Sequence, residues 1–99
     1  LTAAHCAYGA LNITAMLGVH DTSTSAGEPG VEQYFIHQED IHIYPVYDSR
    51  LFDGDFSLLY LKTASNKTTP IVNTNIFVPA EGDTVSVVGW GRYDVEWIF

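Results

Sequence analysis

The stretch "DGDFSLLYL", residues 53–61, joins a turn to an apolar strand. Asp-Gly is a common turn pair, and the apolar residues after it follow the pattern of a short, partly buried strand. Asp55 stands where the loop enters that strand. A carboxylate at this point is either buried beside the core or simply ends the turn after Gly54, and the stretch alone leaves both interpretations open. Asp53 is interpreted as an ordinary turn residue.

Similar apolar and β-branched runs recur along the chain, with Ser, Thr, Gly, Asp and Pro between them. The pattern predicts an all-β barrel or sandwich, because no long 3.6-residue periodicity competes with it. The runs are "ITAMLGV" (13–19), "VEQYFIH" (31–37), "IHIYPVY" (41–47), "FSLLYL" (56–61) and "TVSVVGW" (84–90).

Composition narrows the class of protein. A chain of 99 residues has room for one small domain, and an apolar content of 46% favours packed structure over disorder. Twelve acidic residues against four basic ones give a formal net charge of −8. This charge opposes binding to nucleic acid or to anionic lipid, and no apolar run reaches the roughly 20 residues of a membrane span. We therefore expect neither nucleic acid nor membrane as a partner.

Three further features concern secretion, disulfide bonding and the extent of the chain. Asn12 in "NIT" and Asn66 in "NKT" lie in N-x-[ST] sequons, which are candidate N-glycosylation sites in a secreted protein. Cys6 is the only cysteine, so it is either a buried small hydrophobic residue or half of a disulfide whose partner lies outside this chain. The chain begins with "LTAAHC" rather than with methionine and ends on "VEWIF", so we expect a segment of a longer protein.

His5 lies within "LTAAHC", and a lone histidine is more often structural than catalytic. A histidine that acts as a general base needs a carboxylate to fix its tautomer and to stabilise the imidazolium. Asp55 is the candidate for that partner.

Three motifs occur in a fixed order: "LTAAHC" (1–6), "DGDFSLLYL" (53–61) and "VVGWG" (87–91). In this order they resemble the chymotrypsin-like (trypsin-like) serine protease family, and "LGVHD" and "YPVYD" between them agree. The resemblance implies an all-β fold, the chymotrypsin-like double β-barrel. Residues 1–72 would form an incomplete N-terminal barrel, 73–83 the interdomain connection, and 84–99 the first strand region of the second barrel.

The same resemblance implies a serine-type endopeptidase that works by acyl transfer through a His-Asp-Ser triad. His5 would be the general base and acid, and Asp55 its orienting partner. The nucleophilic serine in its "GDSGG" setting is nowhere in these 99 residues, so the isolated chain is expected to be inactive. Protein or peptide substrates and protein inhibitors are the implied partners. The alternative is a catalytically inactive homologue that serves as a secreted binding or inhibitor protein.

The family pattern also implies a secreted, extracellular protein in which Cys6 forms a disulfide with a partner outside this chain. Phe77 and Val85 stand where many relatives carry further cysteines. We expect no cofactor and no metal. A loop like residues 17–33 supplies calcium ligands in some relatives, but here Val19 replaces the first acidic ligand, and only Asp21 and Glu32 remain. Other metal sites are not expected, because three histidines lack a ligand spacing: His20, His37 and His42.

Overall fold

The computed structural model describes residues 1–23 and 27–91. Among them the longest helix is a single turn of four residues, so no helix has the length and apolar character of a membrane span. In chain order the elements are α1 (Ala4–Ala7), β1 (Asn12–Leu17), β2 (Glu32–His37), a 3₁₀ turn (Gln38–Asp40), β3 (Ile41–Ile43) and β4 (Ser57–Leu59).

Strands β1 and β2 form an antiparallel pair, with a register that runs from Asn12 opposite His37 to Leu17 opposite Glu32. Along β2 every second side chain is exposed, and the side chains between them are partly or fully buried. Ile36 is the most deeply buried of these. This alternation is the period of two that a half-buried strand requires. Both strands were predicted, at 13–19 and at 31–37.

Strands β3 and β4 form a second antiparallel pair, with Ile43 opposite Ser57. The strand predicted over 41–47 ends at Ile43, because Pro45 has no amide hydrogen to donate to a neighbouring strand. The chain turns there instead, and the Tyr47 amide donates to the Tyr44 carbonyl at 3.0 Å.

An isolated bridge joins the start of the chain to β4. The Thr2 amide donates to the Ser57 carbonyl at 2.9 Å, and the Ser57 amide donates to the Thr2 carbonyl at 2.7 Å. Ser57 is buried, as are Ala4 and Ala7 of α1. Because alanine has a minimal side chain, α1 can pack closely against the strands at this point.

The secondary structure differs from the predicted pattern at two places. Helix α1 was not predicted, because one turn is too short to give a periodic signal. A strand was predicted over 84–90, but the structure assigns none there, and none of the described strands pairs with these residues. The part of the predicted second-barrel region that covers 92–99 lies outside the described residues.

The contacts within the chain divide it into two units, Leu1–Thr68 and Thr69–Phe99. In the second unit the described residues are exposed and form local turns. Asn73 accepts a hydrogen bond from the Asn75 amide at 2.9 Å, and Asn75 accepts one from the Phe77 amide at 3.0 Å. The division into 1–72, 73–83 and 84–99 remains a prediction.

Candidate active site

The bridge between Thr2 and Ser57 places the two candidate residues side by side. His5 follows Thr2 by three residues, in the first half of α1, and Asp55 precedes Ser57 by two. The pairing of Thr2 with Ser57 therefore brings together the side chains of His5 and Asp55, which are 50 residues apart in the sequence.

His5 and Asp55 make two hydrogen bonds. The His5 backbone amide donates to Oδ1 of Asp55 at 2.8 Å, and Nδ1 of the His5 ring lies 2.7 Å from Oδ2. An ionised carboxylate only accepts hydrogen bonds, so Nδ1 carries the proton and, in the neutral ring, Nε2 keeps its lone pair. This is the tautomer that a general base needs.

The environment of Asp55 favours its ionised form. The hydrogen bond from the His5 ring holds the pKa of Asp55 below its ordinary range, and the His5 backbone amide lowers it further. The side chain of Asp55 is 23% exposed and that of His5 is 50% exposed. The carboxylate is thus partly shielded, while the imidazole remains accessible.

Two aromatic residues lie near the pair: Phe52, which was not identified from the sequence, and Tyr47, which the sequence indicated only as a core or rim aromatic of the barrel. Phe52 packs edge to face against the His5 ring, with centroids 5.8 Å apart, and it has a left-handed backbone with φ of 56°. Tyr47 is partly buried, which raises its pKa, and the Asp55 charge adds to this effect. The available signal was an aromatic residue in the turn just before the candidate aspartate.

The turn that carries Phe52 is held from both sides. Asp48 accepts hydrogen bonds from the Arg50 amide at 2.8 Å and from the Leu51 amide at 3.3 Å. Its own amide donates to the Asp53 carbonyl at 3.0 Å. Asp53 takes part through its backbone, as expected of a turn residue.

Cys6 is an exposed free thiol in this structure, with Sγ 3.4 Å from Nε2 of His5. Its disulfide partner was expected outside this chain, so that bridge remains a prediction. Both sequon asparagines are exposed. Asn12 begins β1, and Asn66 donates its backbone amide to Oε1 of Glu32 at 3.0 Å.

The two carboxylates named as possible calcium ligands both accept hydrogen bonds from protein donors. Oδ1 of Asp21 accepts hydrogen bonds from the Ser23 amide at 2.8 Å and from the Ser23 hydroxyl at 2.7 Å. Oε2 of Glu32 accepts from the hydroxyls of Tyr34 and Ser65, and its Oε1 accepts from the Asn66 amide.

Calcium requires six to eight oxygen ligands. Within residues 1–23 and 27–91 no three His, Cys, Asp or Glu side chains converge as a metal site would need. In that part of the chain neither the two carboxylates nor the three other histidines belong to such a cluster.

Comparison with known proteins identifies the family. The Trypsin family model matches residues 1–97. Granzyme-like protein 1 of Rattus norvegicus is 31% identical over 96 residues, granzyme B of Homo sapiens is 33% identical over 96 residues, and granzyme B(G,H) of Mus musculus is 33% identical over 99 residues.

Each of these matches covers 93% of this chain and 36% of the relative, so the chain spans about a third of the length of the curated relatives it matches. No solved structure gives a significant match. The family match confirms the predicted all-β, chymotrypsin-like double β-barrel fold class. The chain therefore belongs to the trypsin family of chymotrypsin-like serine proteases.

Proposed function

We propose that this chain supplies the general base and its orienting carboxylate to a serine endopeptidase. The observation that carries the proposal is the pair of hydrogen bonds between His5 and Asp55, at 2.7 and 2.8 Å. One bond fixes the tautomer of the imidazole, and the other ties the carboxylate to the backbone of the same histidine. Together they hold Nε2 as the basic nitrogen on the accessible side of the ring.

In the proposed reaction a serine hydroxyl attacks the carbonyl carbon of the peptide bond, and Nε2 of His5 takes the hydroxyl proton. Nε2 then gives this proton to the leaving amine as the C–N bond breaks, which leaves an acyl-enzyme. Water attacks the ester in the same way, with His5 again as base, and releases the acid and the serine. Asp55 accepts the hydrogen bond from Nδ1 throughout and remains ionised.

The nucleophile of this reaction has to come from outside these residues. No serine in the sequence is followed by paired glycines. Ser57 is buried and donates its hydroxyl to the Ala3 carbonyl at 3.3 Å, and Ser23 is bonded to Asp21. The relatives are almost three times as long as the part matched here, which leaves room for the serine and for the substrate pocket.

We also propose a secreted, extracellular protein that acts on proteins or peptides. The exposed sequons at Asn12 and Asn66 support secretion, since both acceptor side chains lie at the surface. The exposed Cys6 supports a disulfide to a second segment. That bridge would also take the sulfur out of use as a hydrogen-bond partner of His5 and leave Nε2 for the serine.

The test uses the full protein that contains these residues and a fluorophosphonate probe, which labels only an activated serine. We expect labelling and peptide hydrolysis, both abolished by His5→Ala. Asp55→Asn should lower turnover by about 10⁴-fold, the loss established for this change in the family's triad. Asp53→Asn is the matched control and should change turnover little, because that side chain makes no bond to His5.

Absence of any labelled serine in the correctly folded protein would refute the endopeptidase. It would favour the alternative, an inactive homologue that binds or inhibits other proteins.

A further inference from the structure

A lysine side chain reaches into the loop that carries calcium ligands in some relatives. We define the neck as Gly18, Gly30 and Glu32, the described residues where this loop leaves β1 and returns to β2. The ammonium group of Lys67 donates a hydrogen bond to the Gly30 carbonyl. It also packs on Gly18, where a Cβ atom would lie 2.6 Å from Nζ and 2.7 Å from the Gly30 oxygen. Only glycine leaves space for the ammonium at this point.

The backbone of Lys67 is tied to the same place through Glu32. The Lys67 amide donates to Oγ of Ser65 at 3.0 Å, and the Ser65 hydroxyl in turn donates to the Glu32 carboxylate. The hydrogen bond from Ser65 is the largest cause that lowers the pKa of Glu32, and the Lys67 charge lowers it too. Glu32 is therefore ionised, with the positive charge nearby.

A carbonyl oxygen and a carboxylate are the donors that a hard cation selects, and an ammonium group can use the same oxygens through its three N–H bonds. At the neck the ammonium already holds the Gly30 carbonyl, and protein donors occupy both oxygens of the Glu32 carboxylate. A divalent ion at these oxygens would compete with those donors and would approach a positive charge.

We propose that the Lys67 ammonium is the built-in cation of the neck and fixes its conformation with no divalent ion bound. This inference does not depend on catalysis, so failure of the endopeptidase proposal would leave it standing.

The first experiment uses the unmodified full protein. Its melting temperature should be the same in EDTA and in millimolar CaCl₂, and the addition of Tb³⁺ should give no sensitised luminescence. A rise in melting temperature with calcium that EDTA reverses, together with Tb³⁺ luminescence lost on changing Glu32→Gln, would overturn the proposal.

The second experiment compares the two lysines of the chain. Lys62 is 60% exposed and pairs with Asp40 at 3.0 Å, so it is a matched surface control. Under limiting acetylation of the folded protein, Lys67 should react several-fold more slowly than Lys62. Equal rates would contradict the placement of the Lys67 ammonium at the Gly30 carbonyl. This measurement needs no variant.

The third experiment probes the loop by cleavage on the amino side of Asp21, with the exposed Asp83 as the internal reference. Lys67→Met should raise the ratio of cleavage at Asp21 to that at Asp83 several-fold, and Lys62→Met should leave it unchanged. If both variants keep the ratio of the unmodified protein, Lys67 does not fix the neck. If Lys67→Met does not fold, the acetylation rates decide the matter.

Discussion

Gly54 directly precedes Asp55 and has a left-handed backbone, with φ of 64°. A Cβ atom on it would lie 2.7 Å from Cδ1 and 3.0 Å from Cε1 of the Tyr44 ring. That ring is stacked on Phe56, with centroids 4.3 Å apart. Gly54→Ala therefore forces a side chain into an unfavourable backbone region and also displaces Tyr44.

The two effects have separate sizes. A non-glycine residue in the left-handed region costs about 1–2 kcal/mol. Displacing the Tyr44 ring from its preferred rotamer costs about 0.5–1.5 kcal/mol more. We expect Gly54→Ala to lower the free energy of unfolding by about 1.5–3.5 kcal/mol. Gly9→Ala is the control, because Gly9 has φ of 76° and nothing within 4 Å of the added Cβ atom, so only the backbone cost of about 1–2 kcal/mol applies.

Urea unfolding of the full protein measures both costs, provided that the slope is unchanged. When Tyr44→Ala is combined with Gly54→Ala, the clash is removed and only the backbone cost of Gly54→Ala remains. A double-mutant cycle detects this difference as a coupling energy between the two positions. Equal costs for Gly54→Ala and Gly9→Ala, with no coupling to Tyr44, would refute the reasoning.

Three further outcomes follow from the site and the core. The isolated 99-residue chain should hydrolyse neither peptide nor ester substrates, and turnover abolished by His5→Ala would contradict this. The pKa of Asp55 is lowered on folding, so the ionised carboxylate stabilises the protein above about pH 4, the ordinary carboxyl pKa, and this stabilisation is lost as the pH falls further. In urea unfolding measured across these pH values, Asp55→Asn should remove this acid-dependent loss. Ile36 is 2% exposed and Phe35 is 59% exposed. Ile36→Ala should cost about 2–5 kcal/mol in the same assay and Phe35→Ala much less, and equal costs would count against the assigned β2 register.

The candidate pair could be predicted because its motifs are local. "LTAAHC" and "DGDFSLLYL" each mark one member, and a general base needs a carboxylate, so His5 and Asp55 could be matched before any contact was known. The structure adds the distance and shows that the His5 amide, as well as the ring, binds the carboxylate. The second bond could not be predicted, because it depends on the backbone conformation of α1.

Other features could not be predicted from the sequence, because they too depend on contacts that form only in the folded chain. The left-handed backbone of Phe52 is set by the hydrogen bonds of the surrounding turn, not by the preference of phenylalanine. The reach of Lys67 to Gly30 spans 37 residues, and no local pattern reports a contact between two loops. The strand predicted over 84–90 is the opposite case, because there a local β preference is present but no described strand pairs with it.

The bridge between Thr2 and Ser57 determines when during folding His5 and Asp55 can meet. Closing a loop of about 50 residues costs roughly 3–4 kcal/mol of chain entropy, which local contacts alone do not offset. His5 and Asp55 therefore meet only after the ends of this loop have paired. In a growing or partly unfolded chain His5 therefore lacks its carboxylate partner until folding has brought β4 to the start of the chain.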